Sequence, residues 1–328
     1  MTTPAPECAA EPTVEWVDCY ACGSKDHEEL LWSRDRLHRL PGRFRVVRCR
    51  DCDLVFLNPR LTREAILAYY PPSYPMNQFR PAEPADPLRR RLVARHLARM
   101  DRIKIRTVRR HAKLGPGSRV LDVGCGLGSF LAELSRRTGC RAVGVEPAPV
   151  PCRFAREKYG LEVHEGLLED FEFEAGSFDA ITLWHVLEHQ FDVKKTLGTL
   201  AGLLALGGKL VVESPDFSDP LARVFGGFWC NLELPRHLIH FTPRTISRVL
   251  EDSGFAVESL RRGGAMPPCS VFLASLFAVF RATYDRDLVK TAYLTQAVWA
   301  LTWPLFALEG VLTGRGVMTC VARAGSSR

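Results

Sequence analysis

The chain has 328 residues, 46% of them hydrophobic, enough to bury a large core and to hold one full domain with appendages. Its formal net charge of +7 is modest for this length and much of it falls between Arg89 and Lys113, so the excess describes one segment and no nucleic-acid partner is expected. The run from Met1 to Cys19 holds acids and prolines and no apolar core, which argues against a secretory signal and for a cytoplasmic protein, where the 11 cysteines serve as thiols or metal ligands rather than disulfides.

Residues 1–18 read as a disordered tail. Cys19 and Cys22 then form a C-x-x-C pair that is answered by Cys49 and Cys52. Each pair can sit on a tight knuckle that points two thiolates at one ion, so the spacing predicts a tetrahedral Zn²⁺ site in a module spanning 19–60, with the ion replacing a core that so short a module lacks. Four buried free cysteines are the bland alternative. A redox pair is disfavoured because no thioredoxin-like βαβ pattern surrounds it. Phe44 to Arg48 alternates and predicts a strand leading into the second knuckle. Residues 61–87 read as a short helix, Thr62 to Tyr70, followed by a proline-rich surface linker. A domain spanning 88–262 follows. It opens with Leu88, Leu92, Leu97, Met100, Ile103 and Val108 at near-helical spacing among arginines. This predicts a helix packed on the domain with a solvated basic face, preferred over a membrane-surface helix.

The centre of that domain is Arg119 to Phe130, RVLDVGCGLGSF, an apolar strand that breaks into Gly124, Gly126 and Gly128 before a helix begins. Glycine at alternate positions allows a tight turn and a close approach to a ligand, and the next helix presents free N–H groups. The spacing is G-x-G-x-G rather than the dinucleotide G-x-G-x-x-G, which counts against a nicotinamide-dependent oxidoreductase. On these residues the chain resembles the class I S-adenosylmethionine-dependent methyltransferases. The resemblance implies an enzyme with an α/β, Rossmann-like, seven-stranded sheet. It also implies that S-adenosyl-L-methionine is held by Asp122, Gly124, Cys125, Gly126 and Gly128. Arg141 to Glu146 is a second strand ending in an acid that can accept both ribose hydroxyls; Leu168 and Glu169 fall at the adenine, and Trp184 ends the family's fourth strand, Ser177 to Trp184. Gly207 to Glu213 is similar to the fifth. The segment Cys19 to Pro59 resembles the zinc-binding N-terminal region attached to some bacterial sugar and natural-product methyltransferases.

Thr242-Pro243-Arg244 caps and opens a helix that runs to Asp252 and stops at Gly254. Phe255 to Leu260 is expected as the sixth strand, and the last strand, Val317 to Ala322, begins the segment 317–328 and should run antiparallel. Residues 263–316 are left as an apolar insertion with runs at Cys269 to Phe280 and Thr291 to Leu308, the first too short to span a bilayer and the second carrying Gln296 and Pro304. A helical hairpin or lid is expected, with peripheral membrane contact through 263–316 as the second reading.

Strand four runs into His185-Val186-Leu187-Glu188-His189. H-x-x-E-H also matches an inverted zinc-protease pattern, but a protease carries it inside a long helix, whereas here it follows an apolar strand. With a helix starting near His185, residues 185, 188 and 189 fall on one face and can share an ion. The arrangement resembles the E-x-x-E-H motif of small-RNA 3′-end 2′-O-methyltransferases and ubiquinone-pathway O-methyltransferases, which with a later histidine holds a divalent metal beside the acceptor hydroxyl. By that resemblance His185, Glu188, His189 and His237 hold a second divalent ion. Histidine at 185, where those families have glutamate, argues against Mg²⁺ and for a more nitrogen-loving ion, or for a metal-free base. An alcohol acceptor must lose its proton, so His185, His189 and His237 are the catalytic candidates. The expected reaction is methyl transfer to a hydroxyl or acidic carbon of a small-molecule acceptor, a sugar or another polar compound. A non-catalytic binding or regulatory protein on the same scaffold, acting through the zinc module, is the alternative.

Overall fold

The computed structural model describes residues 13–71, 87–266, 268–280 and 316–325. All but the ends of the proline-rich linker, and the apolar run Thr291 to Leu308, lie outside the described residues. In chain order the strands are β1 (Val14–Glu15), β2 (His27–Ser33), β3 (Phe44–Cys49), β4 (Val55–Leu57), β5 (Arg60–Leu61), β6 (Arg119–Val123), β7 (Arg141–Glu146), β8 (Glu162–Glu165), β9 (Phe178–Trp184), β10 (Leu204–Pro215), β11 (Ile239–His240), β12 (Phe255–Arg262) and β13 (Val317–Ala324).

The large sheet has seven strands in the order β12-β13-β10-β9-β6-β7-β8. Strands β8, β7, β6, β9 and β10 are parallel, and β13 enters antiparallel between β10 and β12, as expected of the last strand. The central strands are continuous apolar runs because helices cover both faces. Val120, Leu121, Ile181, Leu183, Val211 and Val212 are fully buried. Strand β10 begins three residues before the expected Gly207; its register slips between Leu204 and Lys209, where Gly207 has a φ of 81° that suits a glycine. The helix Pro243–Asp252 starts where Thr242 Oγ1 accepts the Thr245 N–H at 3.2 Å, and it buries Ile246, Val249 and Leu250 against the sheet. The arginine-rich segment is one helix, Pro87–His111. It buries Ile105 and Val108 and leaves Arg91, Arg95, Arg99, Arg102, Arg106, Arg109 and Arg110 exposed.

Two features of the N-terminal part depart from expectation. Val14–Glu15, inside the segment read as a disordered tail, pairs antiparallel with Arg60–Leu61, and Arg60 Nε donates to Glu15 Oε1 at 2.7 Å. The module around the cysteines is also not self-contained. Its four-stranded sheet has the order β11-β4-β3-β2, so its last strand comes from Ile239–His240, beyond the fifth strand of the large sheet. Leu57 N donates to Leu238 O at 2.9 Å, and Val46, Phe56 and Leu57 share one core with Trp229, Leu238 and Phe241.

Within the insertion the first apolar run forms the helix Pro268–Val279. Buried Ser275 accepts the Cys230 N–H at 3.0 Å, fixing this helix on the turn that precedes Glu233 and His237. No helix of the described residues is long and apolar enough to cross a membrane.

Candidate active site

Strand β6 runs into a loop in which Gly124, Gly126 and Gly128 have φ of 71°, 54° and 75°. A β-carbon on Gly124 would stand 2.5 Å from Val186 Cγ2, and one on Gly128 would stand 2.7 Å from Leu161 Cδ1. Only glycine satisfies both the backbone and the space at these two positions. Glu146, at the end of β7, closes the loop from the side: Oε2 accepts the Gly126 N–H at 2.9 Å and Oε1 accepts the Ala148 N–H at 3.0 Å. Each oxygen keeps a lone pair for a ribose hydroxyl, so the residues fit an adenosyl cofactor. Burial raises the Glu146 carboxyl above its usual range.

The other cofactor candidates are placed less directly. Asp122 is buried and accepts from Thr182 Oγ1 at 2.5 Å; burial lifts its carboxyl to about 7, with the Thr182 bond opposing. Cys125 packs its thiol over Gly144 on β7, where a β-carbon would come within 2.5 Å of Sγ. Trp184 meets Phe130 edge-on at 5.3 Å and lies under Lys104 at 5.1 Å; its buried Nε1 has no hydrogen-bond partner. Leu168 is buried, whereas Glu169 is exposed and paired with Arg63 Nη1 at 2.9 Å.

The four N-terminal cysteines converge. Sγ of Cys19 is 3.4 Å from that of Cys52, and Sγ of Cys22 is 3.5 Å from that of Cys49. A tetrahedral Zn–S₄ centre with bonds of about 2.3 Å has S···S edges of about 3.8 Å, far from the roughly 2.05 Å of a disulfide. The two knuckles repeat each other. Gly23 N and Asp53 N donate back to Cys19 O and Cys49 O at 2.8 and 3.1 Å, and both turns end on a left-handed residue, Gly23 at φ 74° and Asp53 at 64°. Burial pushes the Cys19 thiol up to about 11, and a bound cation reverses such a shift. The residues fit a structural zinc.

Beyond β9 the chain does not enter the helix expected at His185. His185 takes a left-handed φ of 60°, its N–H donates to Glu213 O at 2.8 Å, and a short 3₁₀ turn, Leu187–His189, follows. The expectation that His185 shares an ion with Glu188, His189 and His237 is therefore corrected. Its Nδ1 lies 3.3 Å from Glu188 Oε1 and its Nε2 3.3 Å from Glu213 Oε1, so the ring bridges two carboxylates. Burial would lower its pKa, but the two carboxylates outweigh burial and lift it to about 10, which leaves a cation and not a base.

The other three residues do come together: one ligand atom from each of Glu188, His189 and His237 lies within 4.8 Å of the others. The tautomers follow from backbone carbonyls. His189 Nδ1 is 3.0 Å from Arg236 O and His237 Nδ1 is 2.8 Å from Asn231 O; a carbonyl only accepts, so both Nδ1 atoms carry a proton, and Nε2 is the atom through which each ring, when neutral, can hold an ion. Both carboxylate oxygens of Glu188 are buried without a well-formed hydrogen bond. Burial opposes ionisation of Glu188, but the neighbouring His185, His237 and His189 hold it at about 2. Burial and the nearby His237 lower His189 to about 4. An ionised carboxylate and two imidazoles whose Nδ1 atoms are tied to carbonyls form a donor set that fits a divalent ion through Nε2. The turn also touches the cofactor loop, since Val186 is the side chain that excludes a β-carbon from Gly124.

Glu233, Arg236, Asp35, Tyr70 and Glu213 border this cluster and had no signal in the sequence beyond being polar. Glu233 Oε2 is 3.5 Å from His237 Nε2, and Glu233 itself has a left-handed φ of 36°.

A family model described as a methyltransferase domain matches residues 89–260. The ubiquinone biosynthesis O-methyltransferase of Xanthomonas axonopodis pv. citri (strain 306) is 34% identical over 163 residues, covering 45% of this chain and 67% of that protein. The enzyme of the same name from Methylocella silvestris is 33% identical over 133 residues, covering 39% of this chain and 49% of that one. The match thus spans 67% and 49% of these relatives' own length. Among solved structures, geranyl diphosphate methyltransferase in complex with SAM aligns with a TM-score of 0.50 at 16% identity, covering 74% of this chain and 93% of that one. Geranyl diphosphate C-methyltransferase of Streptomyces coelicolor A3(2) aligns with a TM-score of 0.50 at 14% identity, covering 74% and 86%. At such identities the likeness concerns the fold. Sheet order, glycine loop, acid at the end of β7 and family match agree, and the chain belongs to the methyltransferase domain family as a class I S-adenosylmethionine-dependent methyltransferase.

Proposed function

We propose that this enzyme transfers the methyl group of S-adenosylmethionine to an oxygen atom of a polar small molecule, with Glu188, His189 and His237 holding a divalent ion beside the acceptor hydroxyl. The observation that carries the reading is the convergence of Glu188, His189 and His237, with both Nδ1 atoms turned to carbonyls and the Glu188 carboxylate buried without a well-formed hydrogen bond, around a turn packed against the cofactor loop. Glu188, His189 and His237 would hold such an ion, which would supply Lewis acidity towards an acceptor hydroxyl. The protein's own part is alignment: attack on a sulfonium is an in-line displacement, so the loop fixes the donor and the buried histidine cluster fixes the acceptor with water excluded. His189 and His237 act through Nε2, because Nδ1 is committed to a carbonyl in each. His185 holds the Glu188 carboxylate in place and takes no proton from the acceptor.

Support for an oxygen acceptor comes from the relatives, which are named for O-methylation in ubiquinone biosynthesis. Neither of those two is named for a sugar, so a sugar acceptor takes no support from them. The four cysteines act as a structural zinc site with no open position for substrate. The helix Pro268–Val279 serves as a cover on the acceptor side, supported by the contact of Ser275 with the turn before Glu233.

The test is isothermal titration of the full chain with Mn²⁺ in the presence of S-adenosylhomocysteine, beside turnover of hydroxylated acceptors with labelled donor. Ion binding at one site beyond zinc, lost in Glu188→Gln and His237→Ala, is expected. Turnover that survives both substitutions and chelation would refute the ion-assisted mechanism.

A further inference from the structure

Resting on the divalent-ion reading above, we infer that Asp35 and Arg236 are positioning residues through which the N-terminal module sets the geometry of the ion site. Both side chains are fully buried and form a two-pronged ion pair, with Arg236 Nη2 donating to Asp35 Oδ1 at 2.9 Å and Nη1 to Asp35 Oδ2 at 3.2 Å. Asp35 is itself fixed from the module side, where Oδ1 accepts the Leu37 and His38 N–H groups, each at 3.0 Å. Arg236 Nη1 also donates to Tyr69 O at 3.0 Å.

From that anchor Arg236 reaches the ion site twice. Its Nε donates to Glu233 Oε1 at 3.1 Å, which leaves Glu233 Oε2 beside His237 Nε2 at 3.5 Å. Its backbone carbonyl receives the proton of His189 Nδ1 at 3.0 Å, and that bond is what frees His189 Nε2. Tyr70, from the same N-terminal segment, places its hydroxyl 3.2 Å from the same Nδ1. One guanidinium thus fixes a carboxylate next to one histidine, while the same residue's carbonyl sets the tautomer of the other.

A buried ion pair is a poor way to gain stability, because apolar residues of the same volume serve as well or better. It is a good way to hold planar groups in one orientation. Groups that orient the residues holding an ion commonly change ion affinity by 10- to 100-fold when removed. Glu233 also supplies a carboxylate beside His237, and its left-handed backbone is held by the surrounding contacts.

The experiment compares wild type, Asp35→Asn and Glu233→Gln as full chains. Zinc content, affinity for S-adenosylhomocysteine and affinity for Mn²⁺ are measured separately. The expected result is about a 10- to 100-fold loss of Mn²⁺ affinity in both variants. Zinc content and cofactor affinity should be unchanged, kcat should fall without a change in KM for the cofactor, and Asp35→Glu should recover part of the loss. Should Asp35→Asn not fold, Glu233→Gln decides alone, because its side chain is partly exposed and breaks no buried ion pair with Asp35. Mn²⁺ binding that no folded variant weakens would overturn the positioning role alone. Wild-type protein that binds no Mn²⁺ would overturn the ion reading and this inference with it.

Discussion

Replacing Glu146 by alanine should deprive the enzyme of its cofactor and loosen its glycine loop at the same time. The carboxylate accepts two backbone N–H groups, from Gly126 at 2.9 Å and Ala148 at 3.0 Å, and is almost fully buried. A hydrogen bond to a charged group contributes about 1.5–3 kcal/mol, so losing both, with partial repair by water, should lower unfolding stability by roughly 2–4 kcal/mol. The two remaining lone pairs are available to the ribose hydroxyls of a bound cofactor. Their loss should weaken cofactor binding by about 3 kcal/mol, which is roughly 100-fold. Titration calorimetry with S-adenosylhomocysteine and urea unfolding read the two effects apart. Glu146→Gln should fall between, because its amide oxygen can serve one N–H while its amide nitrogen repels the other. Wild-type affinity in Glu146→Ala would refute the ribose contact, and a stability loss alone would leave Glu146 as a loop anchor only.

The double variant Cys49→Ser, Cys52→Ser should lose its zinc and become protease-sensitive between 19 and 60, since a structural zinc contributes on the order of 10 kcal/mol; zinc retained in metal analysis would refute the assignment. Gly128→Ala should destabilise by about 2–4 kcal/mol in urea unfolding, from the left-handed φ of 75° and the 2.7 Å approach to Leu161; an unchanged midpoint would show that Leu161 moves aside without loss. Because its carboxylate partners lift His185 to about 10, above the ordinary imidazole value near 6.5, its contribution is fully present below pH 6.5 and fades as pH rises towards 10. The Tm difference between wild type and His185→Gln should therefore shrink between pH 7 and 10, damped by the 26% exposure of the side chain; a difference that grows in that range would refute the charged bridge. Glu188 is held near 2 and His189 near 4, so both keep the protonation that suits an ion down to about pH 4. Metal affinity measured from pH 7 to 5 should not fall through Glu188 or His189, and imidazole NMR showing His189 titrating near 6.5 would refute its lowered value.

What could be read from the sequence was what is local. The parallel strands β6, β7 and β9 are buried on both faces and so appear as short apolar runs, and the glycines of the loop follow from their turn. The paired cysteines declare themselves because each knuckle closes within a few residues, as the Gly23 and Asp53 bonds show. His185 was misplaced because local spacing suggested a helix, whereas its backbone is fixed by Glu213 O on a neighbouring strand and its ring by two carboxylates. Asp35 and Arg236 are joined across most of the chain, and no periodicity relates them. The same holds for Val14–Glu15, two residues whose strand exists only because Arg60–Leu61 lies beside it.

The strand Ile239–His240 on the open side of β4 has a consequence for synthesis of the chain. On the ribosome both cysteine knuckles emerge, and can close around their ion, long before residue 240. Until then β4 presents an unpaired edge, the kind of surface on which strands from other chains add. The segment that finally covers it lies next to Arg236 and His237, so capping that edge and bringing His237 to His189 are one folding event. A nascent chain stalled before this point would have both knuckles folded and still be sticky; release past it yields a chain whose sheet and histidine cluster mature together.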